Sequence, residues 1–254
     1  MPYVSMKLLP EKIENFVLDV LFPIHCLLCG KDGFWVCPKC AGKINLLPHQ
    51  FCPYCEKYLS WNGQVCATCE KKHPVSKRLD ALLVGTSYQD KDIAQLIHYF
   101  KYNFICDLDL PLGEIMLRTF RQNKLPLPEV IIPVPLHRRR LKWRGFNQAE
   151  LLASYLSENL APGMTLEMRN DILVRTHHRK PQKKIKEYKK RQESLVGIFL
   201  VEKPEAVKKR EVLLVDDVAT TGSTLFECAK ALKKAGAKKV NAIVIARQNF
   251  SPQK

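Results

Sequence analysis

No stretch of this 254-residue chain approaches eighteen consecutive apolar residues, which argues against a membrane-spanning helix. Met1 to Glu14 shows no apolar run ahead of a small-residue cleavage site, so no secretory signal is read there. The expected compartment is the cytoplasm, where paired cysteines read as metal ligands before disulfides. The Walker pattern Gly-x-x-x-x-Gly-Lys is missing, which excludes that class of nucleotide loop. Acidic residues are scarce: 25 stand against 41 Lys and Arg, for a formal charge of +16. Eight metal-bound thiolates and two zinc ions would bring this to about +12. Such a balance favours polyanionic partners: nucleic acid, phosphorylated ligands or anionic lipid. Cysteine is nearly missing after residue 70, where Cys106 and Cys228 stand alone and read as small core residues.

Cysteine is instead concentrated at the start. Four Cys-x-x-Cys knuckles occupy Cys26/Cys29, Cys37/Cys40, Cys52/Cys55 and Cys66/Cys69. Two tetrahedral zinc ions need eight thiolates, and such knuckles set two sulfurs about 3.6–4 Å apart on one ion. The spacers of seven, eleven and ten residues suit two consecutive ribbons, and a cross-braced pairing of first with third knuckle is also open. Gly30, Gly33, Pro53, Asn62 and Gly63 supply turns in or beside them. Each Cys₄ site is closed to catalytic water, so both zinc ions are expected to be structural. Phe34, Trp35, Phe51, Tyr54, Tyr58 and Trp61 would fill the small cores or form a docking surface. Ahead of them, Ile13, Phe16, Val17, Val20 and Leu21 recur at helical spacing within Glu11–Phe22. Its acidic polar face does not suit a membrane-surface helix. The expected organisation is a helix in 1–24, a double zinc ribbon in 25–75 and a larger domain in 79–250.

From Leu79 onward strand-like and helix-like patterns alternate. Strands are expected at Ala81–Tyr88, Val130–Pro135, Ile172–Arg175, Leu195–Val201, Glu211–Val215 and Val240–Ala246. Helices are expected at Asp92–Tyr102, Pro111–Gln122, Asn147–Leu160 and Ser223–Ala235. The alternation argues for an α/β fold, a parallel sheet with helices on both faces.

The run Glu211-Val-Leu-Leu-Val-Asp-Asp-Val-Ala-Thr-Thr-Gly-Ser-Thr224 carries the chemistry. An apolar strand ends in Asp216 and Asp217, and a hydroxyl-rich loop then enters a helix. Backbone N–H groups around Thr220–Ser223 at that helix N-terminus make an anion cradle. Gly222 allows close backbone approach, and Thr220, Thr221, Ser223 and Thr224 add hydroxyl donors. The carboxylates can accept hydrogen bonds from vicinal sugar hydroxyls, at the strand end where open α/β sheets bind ligands. Paired aspartates also occur in phosphoacceptor and Mg²⁺ sites, but the Thr-Thr-Gly-Ser-Thr run and following helix favour a sugar-phosphate cradle.

This segment resembles the phosphoribosyl-pyrophosphate (PRPP) motif of type I phosphoribosyltransferases. The run Ile132-Pro-Val-Pro-Leu-His-Arg-Arg-Arg-Leu-Lys-Trp-Arg-Gly-Phe-Asn-Gln-Ala149 is more specific. With the ribbons and Lys101-Tyr102, it is similar to the ComF (GntX) family of competence-associated proteins over nearly the whole chain. The resemblance implies a type I phosphoribosyltransferase-like domain behind a double zinc ribbon. It puts the acid pair on Asp216 and Asp217, and the 5′-phosphate loop on Val218, Ala219, Thr220, Thr221, Gly222, Ser223 and Thr224. The pyrophosphate loop falls on Val134, Pro135, Leu136 and His137, leading into Arg138 and Arg144, with Lys101 as a further PRPP contact. Mg²⁺ would accompany PRPP. Ser194 departs from the Asn usual in the family three residues after Arg191.

Two basic stretches remain. Arg138, Arg139, Arg140, Lys142 and Arg144 lie within seven residues, and nine of seventeen residues from Arg175 to Arg191 are Lys or Arg. In the type I order the second stretch takes the place of the loop that closes over the ligand. A solvated loop is the alternative for Lys183–Lys190. A track for single-stranded DNA is a third reading, with Trp143, Phe146 and Tyr188 available for stacking. The expected function is a PRPP-binding protein that handles single-stranded DNA in natural transformation, as the family resemblance implies, with other competence proteins as partners. The alternatives are an active transferase on a base or amine acceptor, with Arg138, Arg144 and Arg179 neutralising pyrophosphate, and a regulator that senses PRPP. His137 beside the arginine run reads as a phosphate contact before a base.

Overall fold

The structure is a computed structural model that describes residues 23–57, 59–60, 62–176 and 198–248. The expected helix at Glu11–Phe22, the aromatics Tyr58 and Trp61, and Arg179, Tyr188 and Ser194 fall outside the described residues, as does most of the second basic stretch. The chain divides into two units, residues 1–44 and 45–254.

The smaller unit holds the first two knuckles. A one-turn helix α1 (Pro38–Ala41) follows Cys37, whose extended backbone (φ −71°, ψ 155°) presents its sulfur at the helix start. Leu28 and Val36 pack against Cys26, Cys37 and Cys40 in a small apolar cluster around the sulfurs. Phe34 is exposed rather than part of it. Gly30 and Gly33 turn the chain with φ of +76° and +85°.

The larger unit opens with the second ribbon. Strands β1 (Gln50–Phe51) and β2 (Leu59–Ser60) pair antiparallel, and helix α2 (Ala67–Lys72) carries Cys69. Its main sheet is built from β3 (Ala81–Ser87), β4 (Val130–Pro133), β7 (Glu211–Ala219) and β8 (Lys239–Arg247), in the order β3-β8-β7-β4. All three pairings are parallel. The near-continuous apolar runs of these strands fit burial on both faces. Helix α7 (Ser223–Lys234) packs Leu225, Cys228, Ala229 and Leu232 onto Leu82, Val84, Ile132, Leu214 and Val244. On the other face, helix α4 (Asp109–Asn123) brings Ile115 and Thr119 against Gly85, where a Cβ would have no room. Helix α6 (Gln148–Asn159) lies beside α4 and over β4 and β7. Helix α3 (Lys91–Tyr102) starts on Asp90, whose carboxylate accepts from the N–H groups of Asp92 and Ile93.

Three expectations need correction. Strands β5 (Leu173–Arg175) and β6 (Phe199–Val201) do not join the parallel sheet; they pair antiparallel with each other, a partnership that needs no helical crossover. Arg138–Arg144, read as a basic stretch only, forms a helix, α5, between a His137 N-cap and Gly145 at φ +81°. Its long side chains favour a helix, but seven residues without an apolar period leave no pattern to detect. Cys106 is exposed, in a short turn between α3 and α4 where its thiol donates to the Phe104 carbonyl oxygen at 3.7 Å; Cys228 is buried as expected.

Candidate functional site

Both knuckle pairs close consecutively. The sulfurs of Cys26, Cys29, Cys37 and Cys40 lie within 4.8 Å of one another, as do those of Cys52, Cys55, Cys66 and Cys69. The cross-braced alternative is thereby excluded. Neighbouring sulfurs stand 3.6 Å apart at Cys29/Cys37 and 3.8 Å apart at Cys55/Cys66. A tetrahedral zinc with four sulfurs at about 2.3 Å needs about 3.8 Å between them, so both clusters fit the ion. Each also donates a backbone N–H to a sulfur, Cys37 to Cys26 at 3.3 Å and Cys66 to Cys52 at 3.4 Å. The Cys29 sulfur and burial push Cys40 up to about 12, and burial and Cys55 push Cys69 up to about 12. Four thiols so close cannot all ionise without a cation among them, which is the chemistry a structural zinc supplies.

The second site lies at the C-terminal edge of the sheet. Strand β4 ends there beside β7, with the Val134 N–H donating to the Val215 carbonyl at 2.9 Å, and β7 continues to Ala219. A cleft of about 320 Å³ opens between the segment after β4 and the end of β7 with the turn that follows it. Asp216, Asp217, Val218, Thr220 and Thr224 line it from the β7 side, and Val134, Pro135 and Leu136 from the β4 side. Lys101 and Tyr102 close it from the end of α3. Arg140 and Arg144 enter from α5, and Arg175 from β5. Thus Lys101, Arg144, both aspartates and parts of both expected loops are brought together. Ala219, Thr221, Gly222 and Ser223 form the turn just behind the lining, and His137 and Arg138 stand at the start of α5 outside it.

The electrostatics divide the cleft. Lys101 Nζ sits 2.8 Å from Asp217 Oδ1, both largely buried. Asp216 has no such cation within 4.0 Å among the described residues: burial and the neighbouring Asp217 push its carboxyl up to about 7, against the pull of Lys101. Opposite them stand Arg140, Arg144 and Arg175, with no carboxylate partner within 4.0 Å among the described residues. Arg144 is 8% exposed and donates to Gln148 Oε1 at 2.9 Å, while Gln148 in turn donates to the Phe100 carbonyl at 3.4 Å. Burial and the Arg140 charge hold Arg175 below the usual guanidinium range. The Nε atoms of Arg144 and Arg175 are buried with no hydrogen-bond partner among the described residues. Buried guanidinium donors of this kind can serve an anion.

The turn Thr220–Thr224 leads directly into α7. Gly222 adopts φ +75° as the N-cap of α7. Thr221 and Ser223 share a hydroxyl–hydroxyl hydrogen bond of 2.5 Å, and the Ser223 N–H donates to Thr221 Oγ1 at 3.3 Å. Asn147 fixes the facing loop by donating to the Val134 carbonyl at 3.1 Å while its side-chain oxygen caps α6. Sequence reasoning singled out neither Arg140 and Arg175 as cleft residues nor Gln148, Tyr88 and Gln248, which also line it. Arg140 and Arg175 were visible as members of basic runs, but no pattern distinguishes an inward from an outward arginine. Tyr88 and Gln248 directly follow β3 and β8, and only strand order makes them neighbours of the acid pair.

Comparison with known proteins agrees with this layout. Residues 144–253 match the model of a phosphoribosyl transferase domain, and residues 17–70 that of a double zinc ribbon domain. Competence protein F of Haemophilus influenzae is 33% identical over 231 residues, covering 88% of this chain and 96% of that protein. The DNA utilization protein YhgH of Escherichia coli K12 is 30% identical over 233 residues, 89% of this chain and 97% of its own. Competence protein ComFC of Bacillus subtilis is 27% identical over 231 residues, 83% and 89% of the two chains. Similarity that runs almost end to end in both proteins, through ribbon and transferase-type domain alike, makes this chain a member of the ComF family.

Proposed function

We propose that the protein binds PRPP, or another ribose 5-phosphate, in the cleft and handles single-stranded DNA during natural transformation. The observation that carries the first half is the pairing of an aspartate ledge with buried Arg144 and part-buried Arg175, which with exposed Arg140 lack carboxylate partners among the described residues. In this reading Asp216 and Asp217 accept from the ribose 2′- and 3′-hydroxyls. The turn Val218–Thr224 holds the 5′-phosphate at the start of α7. Val134–His137, Lys101, Arg140, Arg144 and Arg175 face the pyrophosphate, whose charge they neutralise. Mg²⁺ would be held by the pyrophosphate and ribose oxygens and would supply further charge neutralisation there.

The DNA half is supported by the names of the relatives and by one surface. Tyr102, Phe104 and Trp143 are exposed and gather at one place: Phe104 meets Trp143 edge-on at 5.4 Å, and Tyr102 lies 6.1 Å from Trp143. The Arg144 guanidinium stands over the Tyr102 and Trp143 rings at 5.4 and 5.9 Å. Arg138, Arg139, Arg140 and Lys142 are exposed along the same helix, α5. Exposed rings among cations are what a strand of stacked bases and phosphates requires. Because Tyr102 and Arg144 also line the cleft, the DNA surface adjoins the sugar-phosphate pocket.

The acid pair and arginines equally suit transfer, since departure of pyrophosphate needs positioning and charge neutralisation rather than a protein nucleophile. Calorimetry with PRPP and Mg²⁺, followed by competition with single-stranded DNA, tests the binding reading. Heat with PRPP and binding of oligo-dT at low salt are expected. Silence with every ribose 5-phosphate derivative would end the proposal. Pyrophosphate release with a base or amine, abolished by Asp217→Asn, would establish transfer, and intact DNA uptake by a variant without turnover would favour handling.

A further inference from the structure

The two ribbons hold their sulfurs alike, and the second reaches toward the cleft of its own unit. Aligned on their cysteines, Cys26-Leu-Leu-Cys29-Gly30 corresponds to Cys52-Pro-Tyr-Cys55-Glu56. Leu28 thus becomes Tyr54, and Gly30 becomes Glu56. Gly30 has φ +76°, a conformation glycine adopts freely; Glu56 has φ +58°, where a side chain is strained. Both exchanges carry contacts that the first knuckle lacks the side chains to make.

Tyr54 stacks between two rings. His73, at the end of α2, lies 3.9 Å away on one side and Phe226 4.7 Å away on the other, with interplanar angles of 19° and 11°. The Tyr54 hydroxyl accepts from the Leu79 N–H at 2.9 Å. Phe226 is in the first turn of α7, and its ring lies under Gly222, where an added Cβ would come within 3.1 Å. The knuckle is therefore stacked against the far side of the 5′-phosphate turn. Glu56 makes the second link: its carboxylate accepts from Arg247 at 2.5 Å, and Arg247 is 2% exposed at the end of β8. The next residue, Gln248, lines the cleft and donates its N–H to the Ala219 carbonyl at 2.9 Å, where the same turn begins. The second ribbon is thus linked to both ends of one loop, directly through Phe226 and indirectly through Arg247 and Gln248.

We infer that Tyr54 and Glu56 are positioning residues for the 5′-phosphate turn, and that the second zinc ribbon serves as its buttress. The inference rests on the reading that Val218–Thr224 binds a 5′-phosphate. Rings pressed together at these distances resist sliding, so Phe226 holds Gly222, and with it the N-terminus of α7, in one place. The facing loop Val134–His137 is held instead by Asn147 and by β7. Loss of the buttress should therefore weaken the phosphoribosyl end of the ligand and spare the pyrophosphate end.

The test is calorimetry of full-length, zinc-replete protein with two probes, ribose 5-phosphate and inorganic pyrophosphate with Mg²⁺. Tyr54→Leu should weaken ribose 5-phosphate about three- to tenfold and leave pyrophosphate unchanged, on the usual worth of an aromatic pair. Tyr54→Phe keeps the stack and loses the bond to Leu79, so it should lower the melting temperature but retain ribose 5-phosphate affinity. Leu28→Ala, the matching change in the first ribbon, should leave both affinities unaltered. Equal ribose 5-phosphate affinity in Tyr54→Leu and the parent overturns the inference. So does a parallel loss of both ligands that tracks the fall in melting temperature, which would mean general damage. If the parent protein binds neither probe, the assignment of the cleft itself falls, and this inference with it.

Discussion

Lys101 offers the sharpest test of the electrostatics. Lys101→Met keeps the length of the side chain and removes its charge. In the native cleft the ammonium stands 2.8 Å from Asp217 Oδ1, and both side chains are largely withdrawn from water. Unit charges at that separation attract by about 6 kcal/mol at an effective dielectric near 20, and desolvation of the pair offsets much of this. Leaving the carboxylate without its cation should cost about 3 kcal/mol at pH 8. The loss should depend on pH with a definite sign. Asp216 is already pushed up to about 7 by burial and Asp217, and Lys101 opposes that rise. Without Lys101 it climbs further, while the unfolded chain keeps an aspartate near about 3.9. Between those two values the native state binds the extra proton, so stability falls as pH rises through the window. The window extends to higher pH in the variant. The deficit against the parent should be full at pH 8 and shrink toward pH 5. Urea unfolding at both pH values, followed by far-ultraviolet circular dichroism, measures it. A deficit below about 1 kcal/mol at pH 8, or one that does not change with pH, would refute the account of this pair.

Four further outcomes are expected. Affinity for ribose 5-phosphate should rise between pH 6 and 8 as Asp216 ionises near 7 and becomes a pure acceptor; Asp216→Asn should remove the part of that rise not due to the ligand's own phosphate. Gly222→Ala should cost about 1–2 kcal/mol in thermal unfolding and weaken ribose 5-phosphate, because a Cβ at φ +75° is strained and meets Phe226. Metal analysis should find two zinc ions per chain, one fewer in either Cys40→Ser or Cys69→Ser; an unchanged content in both would contradict the two clusters. Trp143→Ala should weaken oligo-dT binding with its salt dependence intact, whereas Lys142→Ala should lower the salt slope by about one.

Much of the sheet was legible because its strands are short apolar runs buried on both faces, a pattern that survives any arrangement of neighbours. The run from Glu211 to Thr224 was legible for a stronger reason: strand, acid pair, Gly222 turn and helix are contiguous, so their geometry is local. The zinc knuckles are local too, although their pairing is not. Spacing permitted two pairings, and only the folded positions of the sulfurs chose the consecutive one. Helix α5 escaped notice since it has charge where pattern reading needs apolar residues. Strands β5 and β6 were recognised as short extended segments, but nothing in a three-residue strand says which partner it will take.

What the chain determined by itself was its inventory: eight thiols for two zinc ions, a hydroxyl-rich turn beside two carboxylates, and an excess of cations. Local sequence can do this because a knuckle, or a strand-turn-helix, closes within a dozen residues. What only the tertiary structure decided was which distant groups meet. The order β3-β8-β7-β4 brings Tyr88 and Gln248 to the acid pair, and the packing of α3 delivers Lys101 to Asp217. The turn from α5 into α6 buries Arg144 on Gln148 while Arg138 stays in solvent, and the second ribbon sets Tyr54 on Phe226. These contacts join residues far apart in the chain. They arise from burying apolar faces against one another, and no spacing in the sequence encodes where those faces come to rest.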